Sequence, residues 1–427
     1  MPPVPEPSSD DTYPLALGTA VGVELEYMIV DADTLNVCPI ADELIKAIAG
    51  TYQSEAEPDG PHGTISWSNE LALHVIELKT TRPVPSVTSL AHEFHRHLRL
   101  MSDILRAFNA RLMPAAMHPW MNPDTDLTLW PHDYSPVYHA YDRIFSCRGH
   151  GWANLQSTHV NLPFSNDDEF GRLHAAIRLV LPILPALTAS SPIADGAPTG
   201  FADTRIQAYR QNADRIPSIV GRIIPEQAFT RADYERDILN PMYRDIAPQD
   251  PDRILQYEWL NSRGCIARFD RGSIEIRLID IQECPAADIA VVDLLMLLVH
   301  SLTNATPAEQ AAQRACHTDS LAETLLNCAR HGEQTVITDR EYLKAIRYST
   351  NEACAPTAGE VWQYIINRLV EPSNPNRCML DTILEHGPLS RRILKSLDNT
   401  PEPTHAQLAA VYRILCHCLD TNQQFTP

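Results

Sequence analysis

Strict alternation of apolar and polar residues marks two segments of the chain as β-strands. In Val21–Val30, with the sequence VGVELEYMIV, apolar side chains occupy the odd positions while Glu24 and Glu26 occupy even ones. The segment Ser273–Ile281, with the sequence SIEIRLIDI, repeats this pattern around Glu275 and Arg277. Because successive side chains of a strand point to opposite faces, each segment predicts a strand with one buried face and one charged face.

Other periodic segments complete the expected architecture. Two more strands are predicted at Leu71–Lys79 and His159–Leu162, and helices are predicted over residues 41–50, 89–112, 167–187, 285–302 and most of 303–427. Pro182 and Pro185 must end or kink the third of these helices. Strands that keep two-sided alternation between helices favour an α+β fold with a mainly antiparallel sheet, one face of which is open to a site.

The same pattern divides the chain into three parts. Residues 1–15 are acidic and proline-rich and are predicted to be a disordered tail. Residues 16–302 hold all the predicted strands and are expected to form the core. Residues 303–427 are expected to be a helical region that packs on this core.

The composition of the chain restricts which binding partners and which cellular compartment are expected. The 427 residues include 54 acidic and 34 basic side chains, a net charge of −20 that argues against nucleic acid and anionic membrane as partners. Neither of the longest apolar runs approaches the roughly 20 residues of a membrane helix. Ten cysteines without a CxxC pair suit reduced thiols, so the cytoplasm is the expected compartment. The sequence leaves a homo-oligomer open.

Glycine is scarce and the usual phosphate-binding glycine loops are absent. The chain has 16 glycines against 34 prolines, and it contains neither GxxxxGK[ST] nor GxGxxG. If the protein handles a nucleotide, metal ions and arginines must therefore hold the phosphates.

Recurring acidic positions indicate where such metal ions could bind. Glu24 and Glu26 place two carboxylates side by side, an arrangement that disfavours ionisation unless cations lie between them. A single ExE pair is more often an exposed strand face, but here the motif recurs in several strands. The other candidates are Glu70 and Glu77 around the second strand, His159, and Glu275. Oxygen ligands with one imidazole suit Mg²⁺, with tolerance for Mn²⁺.

The spacing of one pair restricts its geometry. Glu70 and Glu77 are an odd number of residues apart and cannot share a face of one straight strand. Either Glu70 precedes the strand or a bulge intervenes.

Six segments occur in an order that resembles a known family. They are VGVELEYMIVD (21–31), NELALHVIELKTTRPV (69–84), MHPW (117–120), THVNLP (158–163), LTASSPIADGAPTGFADTR (187–205) and RGSIEIRLIDIQ (271–282). Over about residues 16–302 the chain resembles the second glutamate-cysteine ligase family, also called carboxylate-amine ligases.

The resemblance implies a curved antiparallel sheet like that of the glutamine synthetase catalytic domain, flanked by helices, with ATP and two or three Mg²⁺ ions on its inner face. Carried over by position, the implied metal ligands are Glu24, Glu26, Glu70, Glu77, His159 and Glu275. Glu24 and Glu275 would also lie beside the nucleotide. Arg277 matches an arginine that faces the phosphates, and Arg205 matches one that contacts substrate or phosphate.

The chain departs from the family pattern at the expected substrate pocket. Ser157 and Asn161 replace the first histidine and the glycine of an HVHVG motif, MHPW replaces THPF, and a GCH segment is missing. These changes predict an intact metal set with an altered amino-acid pocket.

Three functions follow as hypotheses. The leading one is an ATP-dependent ligase that activates an acid, glutamate or a related amino acid or peptide, and joins it to an amine. The alternatives are a metal-dependent hydrolase of the same fold and a non-catalytic ligand-binding protein. ATP consumption separates the first from the second, and metal-dependent nucleotide turnover would eliminate the third.

Overall fold

The computed structural model describes residues 15–349 and 354–427. The tail expected at residues 1–15 therefore falls, except for Leu15, outside the described residues.

The described residues form ten strands, all before residue 281. They are β1 Gly22–Asp31, β2 Glu55–Ala56, β3 Ile65–Asn69, β4 Val75–Thr80, β5 Ala110–Met113, β6 Ser157–Pro163, β7 Ile193–Ala194, β8 Ala197–Pro198, β9 Cys265–Arg268 and β10 Ser273–Asp280.

The α-helices of the first 303 residues are α1 Ala41–Ala49, α2 Leu90–Leu105, α3 Pro123–Asp126, α4 Ser135–Phe145, α5 His150–Ala153, α6 Asp167–Val180, α7 Leu184–Thr188, α8 Thr204–Tyr209, α9 Arg231–Tyr234, α10 Asn240–Ile246 and α11 Pro285–Thr303. The remaining ones are α12 Pro307–Ala315, α13 Thr318–His331, α14 Arg340–Ala345, α15 Ala358–Leu369, α16 Arg377–His386, α17 Leu389–Ser396 and α18 His405–Thr421.

Eight of the strands form one antiparallel sheet in the order β2-β3-β4-β1-β6-β10-β9, with β5 paired to the second half of β1. Strands β7 and β8 form a separate small hairpin. The strands that were predicted from alternation, β1 and β10, lie near the centre with β6 between them. The predicted mixture of helices with an antiparallel sheet is confirmed.

One face of the sheet is packed into the main apolar core. Leu25 of β1 and Ile276 of β10 are fully buried there against side chains of α2, α6 and α11, such as Phe94, Ile177 and Leu295. Burial of this face stabilises the fold at roughly 25 cal/mol per Å² of apolar surface. It also fixes the register, since a one-residue slip would turn every charged side chain inward.

Several predicted boundaries were wrong. The helix expected to reach residue 112 ends at Leu105, because Asn109 adopts a left-handed backbone conformation and the next four residues pair with β1 as β5. Strand β4 starts at Val75 instead of Leu71, since the intervening residues form the turn from β3. In contrast, the kink expected at Pro182 and Pro185 is confirmed by a break between α6 and α7.

Two helical segments in the described residues, Asp167–Thr188 and Pro285–Thr303, are long and apolar enough to cross a membrane. Their apolar windows are 94% and 67% buried within the protein. This burial fits core helices, since a buried helix is apolar around its whole circumference.

A buried ion pair ties the C-terminal end of the chain to the end of the sheet. Arg392 of α17 and Glu283, three residues after β10, contact each other with both side chains fully shielded from solvent. The main chain of Phe425 joins this contact, since its carbonyl oxygen accepts from Arg392 Nη1 at 2.6 Å and its N–H donates to Glu283 Oε1 at 3.1 Å.

Removing one partner of this pair is expected to destabilise the whole chain. Arg392→Met leaves Glu283 buried without its counter-charge, which should lower the free energy of unfolding by about 3–5 kcal/mol in urea denaturation. The adjacent Arg391 pairs with Glu333 at 2.9 Å, but both side chains are partly exposed. Arg391→Met is the matched control and should cost less than about 1 kcal/mol. Equal losses of unfolding free energy in the two variants would contradict a special stabilising role of the Arg392–Glu283 pair.

Candidate metal and phosphate site

Cross-strand register brings the charged positions of four strands onto one patch of the sheet. Glu26 of β1 lies opposite Glu77 of β4, and Glu24 lies opposite His159 of β6. Glu275 of β10 falls on the neighbouring row. Because residues two apart share a face of a strand, these five side chains point to the side opposite the main core.

The carboxylates and the imidazole are close enough to share cations. His159 Nδ1 lies 3.0 Å from Glu24 Oε2 and 3.9 Å from Glu275 Oε1, and its Nε2 lies 3.8 Å from Glu26 Oε1. Two sets of three side chains, Glu24–His159–Glu275 and Glu26–Glu77–His159, each bring one ligand atom per residue within 4.8 Å of the others. His159 belongs to both sets, so the two candidate cation positions are adjacent.

Glu70 reaches the same cluster from the turn between β3 and β4. Ser68 of β3 lies opposite Glu77 and donates to Glu77 Oε1 at 2.6 Å. Glu70 is two residues further on, and burial together with the charge of Glu26 raises its pKa to about 7. Glu70 thus precedes β4, the strand that carries Glu77. Because Glu70 lies in the turn, both side chains can reach the cluster although they are an odd number of residues apart.

Crowding of the carboxylates shifts their protonation. Burial, followed by the charge of Glu24, raises the pKa of Glu77 well above its ordinary value. Burial alone would lower the pKa of His159, but the carboxylates of Glu26 and Glu24 outweigh it and raise this pKa to about 9. Protons therefore supply part of the positive charge that the cluster needs at neutral pH, a role that divalent cations can also fill.

Three positive side chains border the cluster. Arg277 Nε lies 2.8 Å from Glu275 Oε1, Arg268 Nη1 lies 4.0 Å from Glu275 Oε2, and Lys79 Nζ lies 4.0 Å from Glu77 Oε1. Of these three, only Arg277 was predicted from the sequence. The two-residue spacing from Glu77 could have revealed Lys79, whereas Arg268 comes close only through the pairing of β9 with β10.

Arg205 occupies a position behind this patch. Its side chain is 2% exposed, and its Nε donates to the fully buried Asp280. Both Nη atoms donate to the main-chain carbonyl oxygen of Arg277 at 3.3 Å. A direct contact of Arg205 with substrate or phosphate stays a prediction, and these bonds favour an indirect role through Arg277.

The two departures from the family motif contact the predicted metal ligands. Ser157 donates to Glu26 Oε2 from its N–H at 2.7 Å and from its hydroxyl at 2.9 Å. Asn161 Nδ2 donates to Glu24 Oε1 at 3.0 Å. Both residues therefore hold carboxylates in place, as partners of metal ligands commonly do.

The site thus combines two adjacent candidate cation positions with a guanidinium on one face of an antiparallel sheet. Residues 20–390 match the model of glutamate-cysteine ligase family 2, and the chain belongs to this family. It is thus a carboxylate-amine ligase.

The relatives differ in how much of the chain they cover. An uncharacterized protein of Archaeoglobus fulgidus is 30% identical over 95% of this chain and 100% of its own length. A protein of Salinispora arenicola, provisionally named glutamate–cysteine ligase 2, is 27% identical over 72% of this chain and 70% of its own. A protein of the same provisional name from Corynebacterium glutamicum is 26% identical, and the match spans about half of either chain, 45% and 46%.

Among solved structures, the chain is similar to the ligase PafA in its crystal structure with the prokaryotic ubiquitin-like protein Pup. The TM-score is 0.36 and the sequence identity 12%, over 94% of this chain and 64% of that one.

The geometry predicts metal binding that depends on Glu77. Titration with Mn²⁺, followed by electron paramagnetic resonance, should detect at least two bound ions per chain, and Glu77→Gln should weaken the binding roughly 10- to 100-fold. Glu55 is half exposed and contacts Lys79 from outside the cluster, so Glu55→Gln is the matched control and should bind like the wild type. Unchanged Mn²⁺ binding by the Glu77→Gln variant would show that Glu77 is not a metal ligand.

Proposed function

We propose that the protein is an ATP-dependent ligase that forms an amide bond through an acyl phosphate. The observation that carries the proposal is the pair of adjacent carboxylate–imidazole sets beside Arg277. In a chain without a glycine loop for phosphates, cations at these sets and the guanidinium provide the positive charge that a triphosphate requires.

The donor set fits hard divalent ions. Two or three Mg²⁺ ions, or Mn²⁺ in their place, would be held by Glu24, Glu26, Glu70, Glu77, His159 and Glu275. When bound, such ions neutralise charge on the phosphate oxygens and orient them for transfer. Glu24 and Glu275 would also lie beside the nucleotide, while Ser157 and Asn161 keep Glu26 and Glu24 in orientation.

The reaction needs two displacements. A carboxylate oxygen of the acid attacks the γ-phosphorus, and the bond from that phosphorus to the bridging oxygen breaks, so that ADP leaves with the electron pair. The amine nitrogen then attacks the carbonyl carbon of the acyl phosphate. Phosphate leaves with the C–O electron pair and takes up the proton that the amine loses. Arg277 stabilises the charge on the transferred group in both steps.

The domains, substrates and compartment that we propose are those expected for a member of the family. We propose a glutamine synthetase-like core at residues 16–302, a helical region at 303–427 that packs on it, small-molecule acid and amine substrates, and action in the cytoplasm. Ten cysteines scattered along the sequence without a CxxC pair support this compartment.

Metal-dependent release of ADP tests the proposal. Purified protein should release ADP from ATP with Mg²⁺ and a suitable acid, and should show no measurable affinity for ATP in EDTA by calorimetry. Glu275→Gln keeps the side-chain volume but removes a charge between His159 and Arg277, and should lower kcat at least about 100-fold. Glu55→Gln is the control for this variant.

Three results would contradict the ligase proposal. Tight ATP binding without metal would show that the carboxylate cluster is not the ATP site. Full activity of the Glu275→Gln variant would show the same. ADP release without a coupled amide product, over a panel of acids and amines, would favour the hydrolase alternative.

Asn161 is expected to shift the choice of acid substrate. Its side chain stands where the family keeps glycine, and a Cβ added at the opposite residue, Gly22, would lie 3.1 Å from Asn161 Cβ. We expect weak or absent formation of γ-glutamylcysteine from glutamate and cysteine, with an α-amino acid or peptide related to glutamate as the preferred acid. Product identification by mass after parallel assays of wild type and Asn161→Gly checks this. Efficient γ-glutamylcysteine synthesis by the wild type would refute the shift but support the family reaction.

A further inference from the structure

Helix α8 presents two side chains to Arg277. Arg205 and Tyr209 are four residues apart and lie on the same face of this helix. Arg205 donates to the main-chain carbonyl oxygen of Arg277 from both Nη atoms. The Tyr209 phenol lies near the side chain of Arg277, since burial alone would lower the pKa of the Arg277 guanidinium but the charge of Glu275, followed by that of Tyr209, raises it.

Tyr209 and Arg277 each carry a buried polar atom that has no hydrogen-bond partner among the described residues. In Tyr209 this atom is the hydroxyl oxygen Oη. Arg277 Nε is within ion-pair distance of Glu275 but is not aligned for a hydrogen bond with it. Unsatisfied buried donors cost stability, and a bound ligand is one way in which such donors are satisfied.

Aromatic side chains build a wall around these donors. The ring of Tyr141, from α4, lies 5.1 Å from that of Trp152 in α5. Trp152 Nε1 donates at 3.2 Å to the carbonyl oxygen of Asn212, just beyond α8. Helices α5 and α8 approach closely only because residue 151 is glycine, since a Cβ there would lie 1.5 Å from Asn212 Oδ1 and 2.9 Å from the Ala208 carbonyl oxygen.

The wall has two electrostatically different ends. Tyr138, also in α4, accepts a hydrogen bond at 2.9 Å from Nδ2 of Asn69, the neighbour of Glu70, so it lies at the end beside the predicted metal ligands. Tyr141 lies at the other end of the wall, near Arg277. Burial raises the pKa of Tyr141, and the Arg277 guanidinium opposes this rise. A phenol beside a guanidinium suits an oxyanion, because both groups donate hydrogen bonds and one carries positive charge.

We propose that Tyr209 Oη and the Arg277 guanidinium form an oxyanion subsite that binds the carboxyl oxygens of the acid substrate. This inference rests on the proposed ligase function and adds a specificity residue to it. The acid carboxylate attacks the γ-phosphorus in the proposed reaction, so its oxygens lie beside the phosphates that Arg277 faces. Tyr209 is placed on the acid because it lies at the Arg277 end of the wall, away from Glu70 and Glu77. Tyr209 donates a hydrogen bond and transfers no proton.

Tyr209→Phe tests the subsite because it removes one hydroxyl and keeps the ring. Calorimetry with L-glutamate, succinate and inorganic phosphate, each in the presence of MgADP, measures anion binding without turnover. The variant should bind the anions that the wild type binds about 10- to 100-fold more weakly, with the same loss in kcat/KM for the acid. Its dissociation constant for MgATP should change less than about two-fold.

Tyr412→Phe is the matched control. Tyr412 Oη is likewise buried without a hydrogen-bond partner in the described part of the chain, but it lies in the C-terminal helix α18. This variant should retain wild-type anion and MgATP binding. Thermal melting of both variants checks that the fold is kept.

The outcomes separate the two proposals. Weaker MgATP binding with unchanged anion binding would assign Tyr209 to the nucleotide and overturn the inference. Unchanged binding of all ligands by Tyr209→Phe, or no anion binding by the wild type, would also overturn it. Wild-type anion binding that is weakened in Tyr209→Phe, without ADP release under any condition, would uphold the subsite while refuting the ligase function.

Discussion

Repulsion among carboxylates crowded onto one face of a sheet is the constraint on which the rest of this structure depends. Five glutamates from three strands and a turn share this patch with one histidine. The apolar reverse side of the same strands is packed in the core, so the carboxylates cannot separate without exposing that surface. The charge must then be balanced locally, by protons, by Lys79 and the arginines, or by divalent cations. This balance explains why the pKa of His159 rises to about 9 although burial alone would lower it.

Residues away from the patch keep it in position. The pairing of β10 with β6 is irregular between Ile276 and Ile279, which places Arg277 at a bulge. The carbonyl oxygen of Arg277 accepts from Arg205, and Arg205 in turn pairs with Asp280. Asp280 also accepts from the Ser190 N–H at 2.7 Å, which joins the bulge to the segment before α8. Buried polar networks of this kind fix one conformation when all their members are satisfied.

The changed motif on β6 illustrates how a site can alter while its predicted metal ligands are kept. Ser157 takes the place of a histidine, yet its hydroxyl donates to Glu26 and lies 2.9 Å from His159 Nε2. Asn161 fills space that glycine would leave open and donates to Glu24. Both side chains donate hydrogen bonds to carboxylates, and both differ in volume from the expected histidine and glycine. Substrate choice can therefore differ between family members that keep the same charged face.

The sequence by itself determined the central strands, because alternation of Val23, Glu24, Leu25 and Glu26 reflects a period of two that any strand imposes. It also determined the mixture of helices and antiparallel strands and, through six ordered motifs, the family. It did not show that residues 110–113 leave the predicted helix for β5, since that strand forms only against β1. Likewise, Arg268, Tyr209 and the buried bonds of Arg205 carry no local signal. Their places depend on contacts between residues far apart in the chain, so only the tertiary structure decided them.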